Sequence, residues 1–263
     1  MSVVFVHGVP DTPIMWQPLI EALDLSDEAY VCPALPGFES KAPDGFSCTK
    51  DAYADWLISQ MEAEIARTGN AVDLIGHDWG ALLTLRVASL RPDLVRSFVV
   101  ANAVIDPEYT GHRMAQLWNK PVLGELAMVA SRLQNFSKLL KESGMPEALA
   151  RREGVYWQKP MRSSILKLYR SANGLNFEGA WVDDLKNLPS KGMILWGEHD
   201  PFVDRTVGER FAAQHDYPLH ILEKAGHWGI IERPDVSAAL IKAFWIDPST
   251  PVSQPAETGP ADV

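Results

Sequence analysis

Between Ala71 and Ala88 the chain passes from a short apolar run, Ala-Val-Asp-Leu-Ile, through Gly76-His77-Asp78-Trp79-Gly80 into Ala-Leu-Leu-Thr-Leu-Arg-Val-Ala. The first part has the length and aliphatic content of a buried strand. The last places Leu82, Leu83, Leu85 and Val87 at helical spacing, so a strand is predicted to turn at once into a helix. The two glycines lack the Cβ atoms that would obstruct so sharp a turn, and the residue between them, Asp78, is pushed out of the end of the strand.

The identity of that residue sets the chemistry. A serine at such a turn must lose a proton before it attacks, and it attacks carbonyl carbon. A carboxylate is already ionised at neutral pH and can displace a leaving group from saturated carbon, leaving an ester on the protein. The expected substrate is therefore a small alkylating electrophile rather than an ester. Because Gly-x-Asp-x-Gly also arises at ordinary turns, the reading requires water-activating partners elsewhere in the chain.

Composition limits the remaining classes. With 46% hydrophobic and 22% charged residues over 263 positions, the chain reads as a soluble globular protein with room for one core and an insertion. A formal net charge of -10 argues against nucleic acid or an anionic membrane as partner and suits a small apolar one. No apolar run approaches the ~20 residues of a membrane span, and the start Met-Ser-Val-Val-Phe-Val-His-Gly lacks a basic segment before an apolar core. A cytoplasmic protein is expected. Cys32 and Cys48 follow no metal-like spacing and read as reduced, with a single disulfide left open.

Strands and helices alternate on both sides of Asp78. Strands are expected over Ser2 to Val6, Ala29 to Cys32 and Val95 to Ala101, and helices over Asp11 to Leu23 and from a cap at Thr49 or Asp51 to about Arg67. Such alternation predicts a parallel sheet, with ligands beyond the carboxyl ends of its strands. The first strand begins almost at the initiator methionine, so the sheet should be short on that edge. It closes on His7-Gly8-Val9-Pro10. There the Val9 N-H, with that of Trp79, is positioned to form an oxyanion hole, His7 is expected to be satisfied by local backbone, and Val9-Pro10 is a candidate cis bond.

From Ala103 to Leu188 helix-like segments take over: Gln116 to Arg132, Phe136 to Leu140, Glu147 to Val155 and Arg162 to Ala172. Most of their aromatics (Trp118, Tyr156, Trp157, Tyr169, Trp181) should pack the insertion down, with one or two reaching a cleft. Gly192 to Trp196 restores a strand, followed by Gly197-Glu198-His199-Asp200. A carboxylate here would orient a catalytic histidine; Asp200 is preferred, with Glu198 and Asp106 as alternatives. A helix from Thr206 to His215 and a strand from Leu219 to Leu222 lead to Gly226-His227-Trp228, where His227 is the expected general base. Pro234 to Trp245 is the closing helix. The expected organisation is a main domain of residues 1-102 and 189-246, a helical cap of 103-188, and a disordered tail of 247-263.

With Asp78, Asp200 and His227 in this order, the chain resembles the α/β-hydrolase superfamily, and within it the epoxide hydrolases and the haloalkane dehalogenases. Gly76-His77-Asp78-Trp79-Gly80, His7-Gly8-Val9-Pro10 and Gly226-His227-Trp228 carry the resemblance. It implies an α/β-hydrolase fold, a mostly parallel sheet flanked by helices with an inserted helical cap, and an enzyme needing no metal or organic cofactor. In epoxide hydrolases cap tyrosines assist the leaving alkoxide. Tyr169 in Leu-Lys-Leu-Tyr-Arg-Ser resembles the second of these, while Ala115 aligns with the first, leaving Tyr109, Tyr156 or Trp118 as substitutes. The resemblance to dehalogenases implies Trp79 as one halide donor and Trp118, Trp157 or Trp181 as the other. The expected reaction is hydrolysis of an epoxide to a diol through an ester on Asp78. Dehalogenation, an ordinary esterase and a non-catalytic ligand-binding homologue are its rivals. The substrate would be held among Trp79, Trp118, Tyr156, Trp157 and Tyr169.

Overall fold

A computed structural model describes residues 2-131 and 133-246. The tail assigned to disorder, 247-263, lies outside the described residues. Six strands, β1 (Val3–Val6), β2 (Tyr30–Val31), β3 (Val72–His77), β4 (Val95–Ala101), β5 (Gly192–Gly197) and β6 (Leu219–Leu222), form one sheet in the order β2-β1-β3-β4-β5-β6. Every adjacent pair is parallel. β3 lies in the interior of the sheet, and all six of its residues are buried. That explains why its sequence does not alternate between apolar and solvated positions; its two polar side chains, Asp73 and His77, are buried with the rest.

Helices α1 (Gln17–Leu23), α2 (Lys50–Thr68) and α3 (Trp79–Leu90) follow β1, β2 and β3 in turn. Thr49, and not Asp51, caps α2 by accepting the Ala52 N-H at 3.3 Å, and Gly69 ends it at a φ of 74°. The helix expected from Asp11 starts later. Pro13–Trp16 is a 3-10 turn leading into α1, which leaves Asp11 and Thr12 buried outside any helix.

Between β4 and β5 lie α4 (Arg113–Asn119), α5 (Leu123–Ala130), α6 (Leu133–Glu142), α7 (Glu147–Gly154), α8 (Lys159–Ser171) and the short α9 (Ala180–Asp183). The single helix expected over Gln116 to Arg132 is instead two, because Pro121 cannot continue the hydrogen-bond ladder and Val122 turns the chain at a φ of 68°. Helices α10 (Arg205–His215), α11 (Gly229–Glu232) and α12 (Pro234–Ile246) complete the fold. α9 and α11, single turns too short for a periodic pattern, had no signal in the sequence. Both cysteines are free. No helix of the described residues is long and apolar enough to cross a membrane.

This topology brings five segments to one edge. The residues just beyond the carboxyl ends of β1, β3, β4, β5 and β6 are Val9, Asp78, Asn102, Asp200 and His227, far apart in the chain but neighbours along the sheet.

Candidate active site

Asp78 occupies a backbone conformation that an ordinary side chain avoids, with φ 52° and ψ -123°. The close approach of β1 to α3 stabilises it: a Cβ on Gly80 would lie 1.9 Å from the Val6 carbonyl oxygen. The carboxyl group is 8% exposed at residue level and is gripped on both oxygens. Oδ1 accepts the Val9 N-H at 2.7 Å, and Oδ2 lies 3.5 Å from Nε2 of His227. Trp79, the first residue of α3, contributes a backbone N-H that has no acceptor within the helix. The Val9-Pro10 bond is cis.

His227 is fixed through its other nitrogen, Nδ1, which meets Oδ2 of Asp200 at 2.8 Å. The Asp200 carboxylate is saturated: Oδ2 also accepts from Asn102 Nδ2 at 2.8 Å, and Oδ1 accepts the N-H groups of Phe202 at 2.8 Å and Val203 at 3.1 Å. The two alternative acids are occupied elsewhere. Glu198 accepts the Lys224 N-H at 2.9 Å, and Asp106 is bound by Arg210 and by the Glu108 N-H. The backbone of His227 is held as well, its N-H donating to Ser143 O at 2.9 Å and its carbonyl accepting from His77 Nε2 at 2.8 Å. His7 is satisfied locally, with Nδ1 against Gly8 O at 2.9 Å and Nε2 accepting the Leu35 N-H at 3.0 Å.

Burial alone would raise the Asp78 carboxyl, but His227, His77 and the Val9 N-H outweigh it and hold the group below the ordinary carboxylate range. Asp200 is likewise lowered against its burial, chiefly by His227. Burial opposes the charge on His227, yet the two carboxylates prevail and raise it to about 10. At neutral pH the resting arrangement is therefore carboxylate, imidazolium, carboxylate.

Above Asp78 lies a cavity of about 60 Å³, walled by His112, Trp118, Phe136, Tyr169, Phe202 and His227 among others. Tyr169, from α8, is buried and edge-on to Trp79 at 5.3 Å and to Trp118 at 4.9 Å between centroids. Burial and then the Asp78 charge push its hydroxyl well above the usual phenol range, against the pull of the neighbouring Trp79 indole. Among the described residues no three or more His, Cys, Asp or Glu side chains are grouped as metal ligands.

A model of the alpha/beta hydrolase family matches residues 3-240. The chain belongs to that family. It is 25% identical over 268 residues to epoxide hydrolase 3 of Xenopus tropicalis, covering 92% of this chain and 70% of that one. It is 30% identical over 105 residues to a haloalkane dehalogenase of Mycolicibacterium paratuberculosis, covering 39% of this chain and 34% of that one. A meta-cleavage product hydrolase from Pseudomonas fluorescens IP01, solved as an S103A mutant with acetates, superposes with a TM-score of 0.73 at 21% identity, over 94% of this chain and 90% of that one.

Within this α/β hydrolase, four of the aromatics expected at the substrate are not part of the cavity wall: Trp79, whose ring is edge-on to that of Tyr169, and Tyr156, Trp157 and Trp181. Tyr156 is half-buried against the core away from the cavity. Trp157 stacks behind Phe136 at 3.9 Å and donates to Ser131 Oγ, so Phe136 forms the wall in its place. Trp181 donates to Asp51 on α2 at 2.7 Å. Tyr109 donates its hydroxyl to the Phe202 carbonyl at 3.1 Å. Sequence reasoning passed over Asn102 and His112. Both follow β4 at the sheet edge where ligands are expected, and that position was the available signal.

Proposed function

We propose that this α/β hydrolase opens small epoxides to vicinal diols through a covalent ester on Asp78, with residues 103-188 serving as a cap over the reacting atoms. The observation that carries this reading is the ionised Asp78 carboxylate, held between the Val9 N-H at 2.7 Å and His227 at 3.5 Å and facing a cavity roofed by Tyr169.

In the first step an Asp78 oxygen forms a bond to an epoxide carbon while the carbon-oxygen bond of the ring breaks. The released electron pair stays on the epoxide oxygen, which takes the Tyr169 proton. The weakened acidity of the Tyr169 hydroxyl favours keeping that proton until a strong base such as an alkoxide appears. Esterification removes the Asp78 charge, one of the two that hold His227 protonated, so the imidazolium can release its proton to solvent and become a base. Neutral His227, oriented by Asp200, then takes a proton from water. The resulting hydroxide attacks the ester carbonyl while the Val9 and Trp79 N-H groups support the oxyanion. The diol leaves with the proton carried by His227. The second proton of the water leaves the regenerated Asp78 carboxyl and restores Tyr169, and a proton from solvent returns His227 to imidazolium once the Asp78 charge is back.

The test is mass spectrometry of His227→Gln after exposure to 1,2-epoxybutane. An adduct of substrate mass on the Asp78 peptide is expected, and its absence would remove the covalent mechanism. A single turnover of the unaltered enzyme in ¹⁸O-water should leave the label in Asp78 and not in the diol. A second reading, displacement of halide from alkyl halides, is favoured by one observation: the buried Trp79 Nε1 is near enough to pull on the Tyr169 hydroxyl yet makes no hydrogen bond of normal geometry among the described residues. Free halide from bromobutane without diol from epoxybutane would select it.

A further inference from the structure

Resting on the epoxide reading, we propose that His112 is a catalytic residue, the second donor to the opening ring oxygen, acting as a neutral imidazole with its proton on Nε2. His112 lies in the cavity wall together with Asp78, Tyr169 and His227. Its ring is 6.2 Å from that of Tyr169 and 5.5 Å from that of Phe202, so it shares the roof over the carboxylate with the tyrosine.

The fold decides which nitrogen carries the proton. His112 is the N-cap of α4, and Nδ1 accepts the Ala115 N-H at 3.3 Å. An imidazole nitrogen that accepts has no proton, so in the neutral ring the proton is on Nε2, on the edge turned away from the helix. Among the described residues Nε2 has no hydrogen-bond partner of its own. The ring is also uncharged at neutral pH, because burial lowers it to about 4 despite the nearby carboxylates. A neutral donor adds no second cation beside Asp78, which already faces His227 at 3.5 Å.

The other candidates for this role are committed elsewhere or remote. The Tyr109 hydroxyl donates to the Phe202 carbonyl, the Trp157 indole to Ser131 and the Trp181 indole to Asp51, and Tyr156 is outside the cavity wall. Trp118 is in the wall and is the remaining rival. In the ring-opening step, Nε2-H supports the oxygen as the carbon-oxygen bond breaks and retains its proton, while Tyr169 transfers its own.

The experiment compares His112→Ser and His112→Asn with the parent, each measured for two steps. Ser and Asn both keep an N-cap acceptor for α4. The serine is too short to reach the ring oxygen, whereas the asparagine amide retains an N-H closer to it. Alkylation of Asp78 by 1,2-epoxybutane is followed by rapid quench and mass spectrometry in the His227→Gln background. Decay of the ester is followed by rapid quench of a single turnover with His227 intact. His112→Ser should slow alkylation about 100-fold, the lower range for removing one hydrogen-bond donor to a developing oxyanion, and leave hydrolysis within about threefold, and His112→Asn should recover part of the loss. Alkylation unchanged in His112→Ser, an equal fall in both steps, or a loss seen in Trp118→Phe instead would overturn the role of His112. Failure of the His227→Gln parent to form any adduct would overturn the epoxide reading itself, a distinct result.

Discussion

Replacing Asp200 with asparagine should stop the proposed reaction half-way. The four hydrogen bonds that converge on the carboxylate dictate how the amide must sit. Two backbone N-H groups, of Phe202 and Val203, point at Oδ1, so the amide oxygen has to take that place. The amide nitrogen then occupies the position of Oδ2, where Asn102 Nδ2 and His227 Nδ1 both present protons at 2.8 Å. Donor faces donor. Once esterification has left His227 neutral, the ring relieves the clash by holding its remaining proton on Nε2, the nitrogen that should receive a proton from water. The hydrolytic step is expected to fall about 10⁴-fold, as when the acid of a catalytic triad is made an amide. Loss of two hydrogen bonds to a buried charge should also cost about 3 kcal/mol of stability, at roughly 1.5 kcal/mol each. Alkylation by Asp78 does not need a neutral His227 and should remain within about tenfold, well short of the 10²- to 10⁴-fold that a proton-transfer partner contributes. Rapid-quench mass spectrometry of Asp200→Asn with epoxybutane should show stoichiometric ester within one turnover and almost no diol afterwards. Sustained diol formation at the parent rate, or a loss of alkylation as large as that of hydrolysis, would refute the reasoning.

Two further outcomes follow from the fold. Gly80→Ala would place a methyl group 1.9 Å from the Val6 carbonyl, where only backbone can move, and should destabilise by about 3 kcal/mol or more in a chemical denaturation curve. Glu153 on α7 is buried, and burial first, then the Asp11 charge, raise its carboxyl well above the usual range against the Thr12 hydrogen bond. A raised carboxyl contributes stability below its unfolded value and loses it as pH rises through the folded one, so Glu153→Gln should match the parent near pH 5 and melt higher than it near pH 9. Parallel melting temperatures for the two proteins across that range would contradict the assignment.

The parts of this molecule that were legible in the chain are those specified by neighbours in sequence. The turn at Asp78 is announced by glycines two positions away on either side, and β3 and α3 by the aliphatic runs that flank them. The cap at Thr49, the strand Leu219–Leu222 and the cis Val9-Pro10 bond belong to the same class. Errors came where a local break outweighed periodicity, as at Pro121 between α4 and α5, or where an element is a single turn.

Position along the sheet was also readable, because alternating strands and helices put the residues after each strand at one edge. Which side chains at that edge touch was not. Asp200, Glu198 and Asp106 are equivalent as acids that follow a strand, and only the packing of β4, β5 and the loop after β6 leaves Asp200 facing His227 while the others bind Lys224 and Arg210. The aromatic residues of 103-188 show the same limit more sharply. Composition states that they are apolar and present, but whether Trp157 or Phe136 meets the cavity depends on which ring of a stacked pair lies nearer to it, a matter of the 3.9 Å between their centroids. Sequence alone determined the nucleophilic carboxylate and the edge on which it stands, since both are consequences of short-range sterics. The tertiary structure decided its company, because contacts between different segments of the chain are fixed by packing and hydrogen-bond satisfaction across the whole core.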